Sequence, residues 1–193
     1  QTEESSVSRD KVSTVAQNLE VPWEIVFLPN GDILLTERTG SLRLISNKQT
    51  ATIAKISDVK VYGEGGLLGL ALHPNFSSNH LIYIYYTYSG SNNQTLNRVV
   101  RYKFENNNLS EQKTLVDKIP GAIYHNGGRI KFGPDGFLYI TTGDALEPSL
   151  AQNTNSLAGK ILRVTEDGKP APGNPFASAL GKPFEKFVYS YGH

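Results

Sequence analysis

The segment HNGGRIKFGPDGFLYITTGD, residues 125–144, contains the side chains best suited to acid–base chemistry. Imidazole titrates near neutral pH, so His125 is a candidate general base, although a loop histidine can also simply cap a backbone carbonyl. Asp144 ends the hairpin that this segment predicts, where its carboxylate could orient the imidazole or begin a turn. Gly127 and Gly128 would leave room for a ligand against the backbone. The segment therefore predicts a base and its orienter at neighbouring strand ends.

A second polar side chain, Glu64, stands between glycines in the segment YGEGG, directly before the apolar run LLGLAL. Glu64 could accept a hydrogen bond from a substrate hydroxyl, or the segment could be only a tight entry to a strand. The segment lacks the Lys-Ser/Thr ending and the following helix of a phosphate-binding loop, which argues against a nucleotide site. His73 and His80 fall at a strand–turn junction and in a polar turn, where structural roles are expected.

Composition excludes several classes of function. With 19 Lys and Arg against 18 Asp and Glu, the net charge is +1, so no field of one sign is available to attract nucleic acid. The chain contains no cysteine, which excludes disulfides and thiolate ligands. Neither a His-x-x-x-His pair nor a dense carboxylate cluster occurs, so spacing predicts no metal site. No apolar run approaches the roughly 20 residues of a membrane span.

The elements that must position these side chains are short strands and turns. The chain has 18 Gly, 10 Pro and 10 Tyr and few helical patterns, which is typical of an all-β protein. Trp23 is expected to pack in the core or between sheets. The predicted strands are Ile33–Thr36, Gly40–Ile45, Leu67–Leu72, Leu81–Tyr88, Arg98–Phe104, Gly128–Phe132, Phe137–Thr142 and Lys160–Val164.

A repeated pattern predicts how these strands are arranged. FLPNGDILLTE, ALHPNFSSNHLIYIYY and KFGPDGFLYITTGD each hold two apolar strands around a Pro, and Pro29, Pro74 and Pro134 are 45 and 60 positions apart. Such unequal periods favour blades of a β-propeller. We expect a flexible tail over residues 1–17 and about three and a half four-stranded blades over residues 18–193. Because a ring needs roughly four to eight blades, either more chain follows His193 or copies assemble as a homo-oligomer.

Four segments in this order resemble the soluble aldose (glucose/sorbosone) dehydrogenases that depend on pyrroloquinoline quinone (PQQ). They are VPWEIVFLPNGDILLTERTGSLRLI, GEGGLLGLALHPNFSSNHLIYIYYT, HNGGRIKFGPDGFLYITTGD and NSLAGKILRV, and the resemblance extends from about Asn18 to His193. It implies the N-terminal portion of a six-bladed propeller, with PQQ in the central mouth near a calcium ion.

The resemblance also implies roles for individual residues. His125 would take the proton of an aldose's anomeric hydroxyl as hydride passes to the quinone, which gives the lactone, and Asp144 would support the base. Glu64 stands where relatives commonly carry a substrate-contacting Gln, and Tyr124 stands where some carry Asp, so both are expected near the sugar. The contacts to quinone and calcium are expected mainly after His193. The chain is therefore expected to be an incomplete part of the enzyme, inactive alone.

The resemblance further implies an external electron acceptor, and the polar N-terminus, which looks like the remnant of an export signal, indicates a periplasmic or extracellular location. Two alternatives stay open. One is a noncatalytic propeller of the same superfamily that binds a protein or a glycan. The other is a calcium-dependent sugar lactonase, which would hydrolyse lactones without quinone.

Overall fold

Within residues 12–177 and 183–193, which the computed structural model describes, the strands pair in chain order into three antiparallel sheets of four. Blade 1 comprises β1 (Pro22–Phe27), β2 (Ile33–Glu37), β3 (Ser41–Ser46) and β4 (Gln49–Lys55). Blade 2 comprises β5 (Leu67–Leu72), β6 (Leu81–Ser89), β7 (Thr95–Glu105) and β8 (Asn108–Pro120). Blade 3 comprises β9 (Ile130–Phe132), β10 (Leu138–Thr141), β11 (Lys160–Val164) and β12 (Val188–Tyr191).

The helical elements of the described chain are short and lie in the connections. They are the helices α1 (Phe76–Asn79) and α2 (Pro148–Gln152) and the 3-10 turns Ser91–Asn93 and Glu185–Phe187. None of the helices in this part of the chain has the length and apolar character that a membrane crossing needs.

The first strands of the three sheets lie side by side. β1 contacts β5 and β5 contacts β9, and all three line one groove of about 660 Å³. The sheets are therefore arranged around these inner strands as blades of a propeller. This arrangement confirms the predicted all-β class and the propeller architecture.

Blade 2 is buried on both faces because it lies between the other two. In β6, side chains alternate with the period of two that a strand requires. Ile82, Ile84 and Tyr86 pack in the cluster shared with blade 1, whereas Tyr83 and Tyr85 pack in the cluster shared with blade 3. The β-branched and aromatic run of this strand therefore fills both interfaces, which explains its nearly continuous apolar sequence.

The turns follow the chemistry that their sequences predict. Gly31 and Gly136 have φ of +88° and +77°, a conformation that glycine adopts without steric cost. In the second turn the Gly136 amide donates to the Gly133 carbonyl at 3.0 Å. These two turns fix the hairpins β1–β2 and β9–β10.

The structure differs from the sequence expectations at the outer strands. β4, β8 and β12 were not predicted. QTATIAK and NLSEQKTLVDKIP are half exposed and carry few apolar residues, and β12 has only four residues. β7 begins at Thr95, three residues before the predicted strand, so the loop before it is shorter than expected. Of the predicted tail, residues 1–11 lie outside the described residues, and residues 12–17 form neither helix nor strand. The tail stays a prediction.

Asp117 in β8 makes the outer edge of blade 2 sensitive to acid. Burial tends to raise the pKa of Asp117, but the Tyr88 hydroxyl at 2.7 Å, the Lys118 amide and the Arg98 guanidinium at 3.0 Å together hold it below its usual range. A carboxyl group with a depressed pKa contributes stability above its unfolded pKa and loses that contribution as pH falls through its folded pKa.

We therefore expect Asp117→Asn to lower the free energy of unfolding at pH 7, and the difference from wild type to shrink as pH falls from about 5 to about 3. Urea unfolding across a pH series measures this difference. Glu111→Gln, at an exposed position in the same strand, is the matched control and should change little. A difference that stays constant across the series would contradict this role of Asp117.

Candidate functional site

His125 lies in the connection between β8 and β9, and the loop after β10 brings Asp144 to it. The His125 Nδ1 atom is 2.8 Å from Asp144 Oδ1. A carboxylate only accepts hydrogen bonds, so Nδ1 carries a proton, and in the neutral imidazole the lone pair is then on Nε2. The His125 side chain is 57% exposed and that of Asp144 only 18%. The pair thus presents an oriented, accessible imidazole.

Asp144 fulfils both roles that its sequence position left open. Its Oδ1 atom interacts with the His125 ring and also accepts a hydrogen bond from the Leu146 amide at 3.0 Å. The second contact closes an Asx turn at the start of the loop. One oxygen therefore orients the imidazole and shapes the backbone that carries it.

The backbone on both sides of this pair adopts a left-handed conformation. His125, Ala145 and Leu146 have φ of +60°, +57° and +63°, and each such non-glycine residue costs about 1–2 kcal/mol. The Ala145 amide donates to the His125 carbonyl at 3.1 Å, which ties the two left-handed segments together. Surrounding contacts must hold this unfavourable geometry.

Glycines allow the two segments to approach closely. A Cβ atom on Gly143 would lie 2.0 Å from the His125 carbonyl oxygen, and one on Gly127 would lie 2.7 Å from that of Thr141. A Cβ on Gly128 would lie 2.9 Å from the Leu68 side chain. Protein atoms therefore occupy the Cβ positions of Gly127 and Gly128, so these glycines serve close backbone packing, and room for a ligand beside them stays a prediction.

Glu64 lies beside this segment, in the connection that enters β5. Its Oε1 atom accepts a hydrogen bond from the Asn126 amide at 2.7 Å, and its own amide donates to the Ile123 carbonyl at 3.0 Å. A Cβ on Gly63 would clash with that carbonyl at 2.0 Å, which explains the glycine. The structure therefore brings Glu64 next to the residue that follows His125. Its side chain is exposed, and its Oε2 atom has no hydrogen-bond partner among the described residues.

Tyr124 precedes His125 and is 52% exposed, and within the described chain its hydroxyl makes no side-chain hydrogen bond. The other histidines named from sequence are engaged in different contacts. His73 Nε2 is 2.6 Å from Glu166 Oε2 at the interface of blades 2 and 3, and His80 Nδ1 is 2.9 Å from Glu105. Both contacts agree with the expected structural roles.

A buried lysine, Lys160, closes the loop that carries Asp144. Its Nζ atom donates to the carbonyls of Leu150, Ala151 and Ala158 at 2.7, 3.0 and 2.7 Å, and burial lowers the pKa of Lys160 to about 8. The Gly159 amide also donates to the Gly143 carbonyl at 2.7 Å. The sequence predicts that Lys160 lies in a strand. It does not predict the bonds of Lys160 Nζ, because their acceptors are backbone carbonyls, which every residue has.

A cation–aromatic pair lies where the inner strands begin. The Arg129 guanidinium lies over the Trp23 ring at 4.0 Å and forms an ion pair with Glu24. Arg129 thus connects the inner strands of blades 1 and 3. The glycine in the intervening strand, Gly69, lets Gly128 approach closely, since a Cβ there would lie 2.1 Å from the Gly128 carbonyl. Trp23 accordingly packs between blades, as expected.

The polar side chains around His125 are mainly carboxylates, which accept hydrogen bonds. Around His125 the described residues supply two carboxylates, and the nearby arginines are engaged, Arg38 with the Gly63 and Gly65 carbonyls and Arg129 with Glu24. An acidic quinone requires cations. Glu24 balances the charge of Arg129, whereas Arg38 donates to neutral carbonyls and keeps its charge. No group of three or more His, Asp or Glu that could hold a metal occurs in residues 12–177 and 183–193.

Comparison with known proteins assigns the family. Residues 19–193 match the model of the glucose/sorbosone dehydrogenase family, and the chain belongs to this family. The match spans all three blades and the His125 site.

Particular relatives refine the assignment. The chain is 30% identical over 188 residues to the aldose sugar dehydrogenase YliI of Escherichia coli, covering 94% of this chain and 50% of that protein. The PQQ-bound aldose sugar dehydrogenase of Streptomyces coelicolor superposes with a TM-score of 0.84 at 40% identity, covering 94% and 53%. A putative glucose dehydrogenase of Thermus thermophilus superposes with a TM-score of 0.87 at 45% identity, covering 95% and 55%. The chain thus spans about half the length of these relatives.

The close approach of Gly143 to His125 can be tested by adding one methyl group. Gly143→Ala would force that methyl group against the His125 carbonyl, and we expect it to lower the free energy of unfolding by about 1–3 kcal/mol. Gly136→Ala is the control, because a Cβ there meets no atom within 4 Å and adds only backbone strain of about 1 kcal/mol. Thermal and urea unfolding measure both variants. A Gly143→Ala variant as stable as the wild type would mean that the contact at Gly143 relaxes without cost.

Proposed function

We propose that the full-length protein is a PQQ-dependent aldose sugar dehydrogenase and that this chain supplies its general base. The observation that carries the proposal is the accessible His125 imidazole held by Asp144 at 2.8 Å, within residues that match the family. The proposed reaction oxidises the anomeric hydroxyl to the lactone, and an external acceptor then takes up the electrons. The names of the relatives support PQQ as cofactor and aldoses as substrates.

The residues of this chain would act on the proton side of the reaction. His125 Nε2 accepts the proton of the anomeric hydroxyl as the C1 hydride leaves, so the oxygen becomes the lactone carbonyl. Asp144 holds the Nδ1 proton and stabilises the imidazolium that forms. The bound quinone supplies the hydride acceptor. Glu64 and Tyr124 would contact the sugar, since Glu64 has a carboxylate oxygen free to accept a hydroxyl hydrogen bond.

We further propose that the cations for the quinone and the ligands for calcium come from the part of the protein that follows His193. Of the two arginines near His125, Arg129 is already paired with Glu24 and Arg38 alone donates to neutral carbonyls, and this small number of available cations among the described residues supports the division. On this proposal the chain alone carries the base without its electron acceptor and would be inactive. A periplasmic or extracellular location belongs to the same proposal.

The base is tested in the full-length protein by a dye-reduction assay with aldoses, PQQ and calcium. We expect His125→Gln to lower kcat by about 10²–10⁴-fold, because the proton then has no acceptor. His80→Gln is the control, since this histidine pairs with Glu105 instead. A wild-type protein that is inert with every aldose, or a His125→Gln variant with full activity, would reject the proposal.

Two further results of that assay would redirect the assignment. Lactone hydrolysis by the wild type without quinone would favour the lactonase alternative. A folded wild-type protein that binds no quinone would favour a noncatalytic propeller.

The orienting carboxylate is tested by Asp144→Asn, which keeps the shape and removes the charge. An amide at this position can stabilise the wrong tautomer and no longer stabilises the imidazolium. We expect kcat to fall by up to about 10⁴-fold, with a smaller change in KM. Steady-state kinetics of the full-length protein measure both constants, and Asp32→Asn, in the exposed turn before β2, is the control. Unchanged kcat in Asp144→Asn would mean that the base needs no orienting charge.

A further inference from the structure

A chain of buried hydrogen bonds crosses blade 2 and ends at the residue after His125. It consists of Thr87 in β6, Asn97 in β7 and Asn126, all fully buried, and is called here the Thr87 network. Thr87 Oγ1 donates to Asn97 Oδ1 at 2.7 Å, and Asn97 Nδ2 donates to Asn126 Oδ1 at 3.2 Å. Asn97 Nδ2 also donates to a backbone carbonyl, that of Pro120, at 3.1 Å.

Every polar group of Asn126 forms a hydrogen bond, and these bonds fix the residue. Its amide donates to Glu64, and its carbonyl accepts from the Tyr85 hydroxyl at 2.8 Å. Its side-chain oxygen accepts from the Ala122 amide at 3.1 Å, and its side-chain nitrogen donates to the Ala122 carbonyl at 2.8 Å. A buried network in which each group is paired allows one geometry, because any other arrangement leaves a polar group unsatisfied.

The Thr87 network also reaches Glu64, so it forms a closed circuit. The Gly66 amide, two residues after Glu64, donates to Thr87 Oγ1 at 3.2 Å. The Glu64 carboxylate in turn accepts from the Asn126 amide. The connection that carries Glu64 and the connection that carries His125 are therefore held in one fixed relation by side chains in the core of blade 2.

Packing alone does not require polar residues here. Apolar, fully buried residues occupy the positions two before Thr87 and two after Asn97, which are Tyr85 and Val99. Valine has nearly the shape of threonine but lacks the hydroxyl, which must be paired when it is buried. The hydroxyl of Thr87 instead links two loops of the site, one of which contains the left-handed residue His125.

We propose that Thr87, Asn97 and Asn126 are positioning residues that set the direction of the His125 imidazole relative to Glu64. This inference rests on the proposed function, since it assigns the network a part in the same reaction. Loss of the Thr87 hydroxyl frees the Gly66 amide and Asn97 Oδ1, which loosens both connections while the inner strands stay paired. When a base is misplaced by up to about 1 Å, kcat falls more than substrate binding weakens.

The test compares Thr87→Val with Thr36→Val in the full-length protein. Thr36 is also fully buried, and its hydroxyl donates to the Leu68 carbonyl at 2.6 Å and accepts from the Glu24 amide, outside the network.

We expect Thr87→Val to lower kcat about tenfold with KM changed less than about threefold, whereas Thr36→Val keeps kcat within about twofold. Thr87→Ser, which restores the hydroxyl, should recover most of the lost kcat. Should Thr87→Val fail to fold, Thr87→Cys, with a weaker donor, replaces it.

A second measurement does not depend on turnover. Hydrogen exchange of the amides in residues 121–128 should be faster in Thr87→Val than in Thr36→Val, since the Asn126 amide is held through this network. Equal kcat in the two valine variants of an active protein would overturn the inference, and so would equal exchange. A wild-type protein inert with every aldose would reject the proposed function itself, and the exchange rates would still decide whether the network positions the His125 segment.

Discussion

The burial of blade 2 between its neighbours is the constraint on which the rest of the structure depends. Each face of its sheet must be apolar, so β6 alternates isoleucine and tyrosine toward the two interfaces. Burial of such side chains contributes about 1.5–3 kcal/mol each. A polar group in this sheet is costly unless it is paired. The polar side chains Thr87 and Asn97 are therefore informative, because each is fully paired and both lead toward the same loops.

The loops depend on the same constraint. Glu64 and His125 each precede the inner strand of a blade, and the lateral packing of those strands brings the two loops together. In these loops and strands the backbone of one segment lies directly against the backbone of another. Glycine therefore occupies positions 63, 69 and 143, where any Cβ would clash with a backbone carbonyl. The accessible imidazole is thus a consequence of close packing behind it. The surrounding backbone is rigidly held, and the Nε2 atom is left open.

Local sequence predicted the hairpins, because alternation with a period of two and the turns at Gly31 and Gly136 are local signals. It also predicted that His125 and Asp144 meet, since one hairpin joins them. The outer strands β4 and β8 escaped prediction because half-exposed strands lack a strong apolar pattern. Asn126 and Lys160 escaped it for another reason. Their partners are backbone carbonyls or residues distant along the chain, such as Asn97 and Glu64, and become neighbours only after the blades pack.

The bonding of Asn126 also bears on how the protein ages. An Asn-Gly sequence loses its side-chain amide when the following backbone nitrogen attacks the side-chain carbonyl, which requires the side chain to rotate. Asn126 precedes Gly127, yet its amide group is buried and bonded on both atoms, so that rotation is blocked. Asn30 precedes Gly31 in an exposed turn, where its amide is bonded only within the turn itself. The fold thereby favours this slow chemical damage at the exposed turn between β1 and β2 over damage at the residue beside His125.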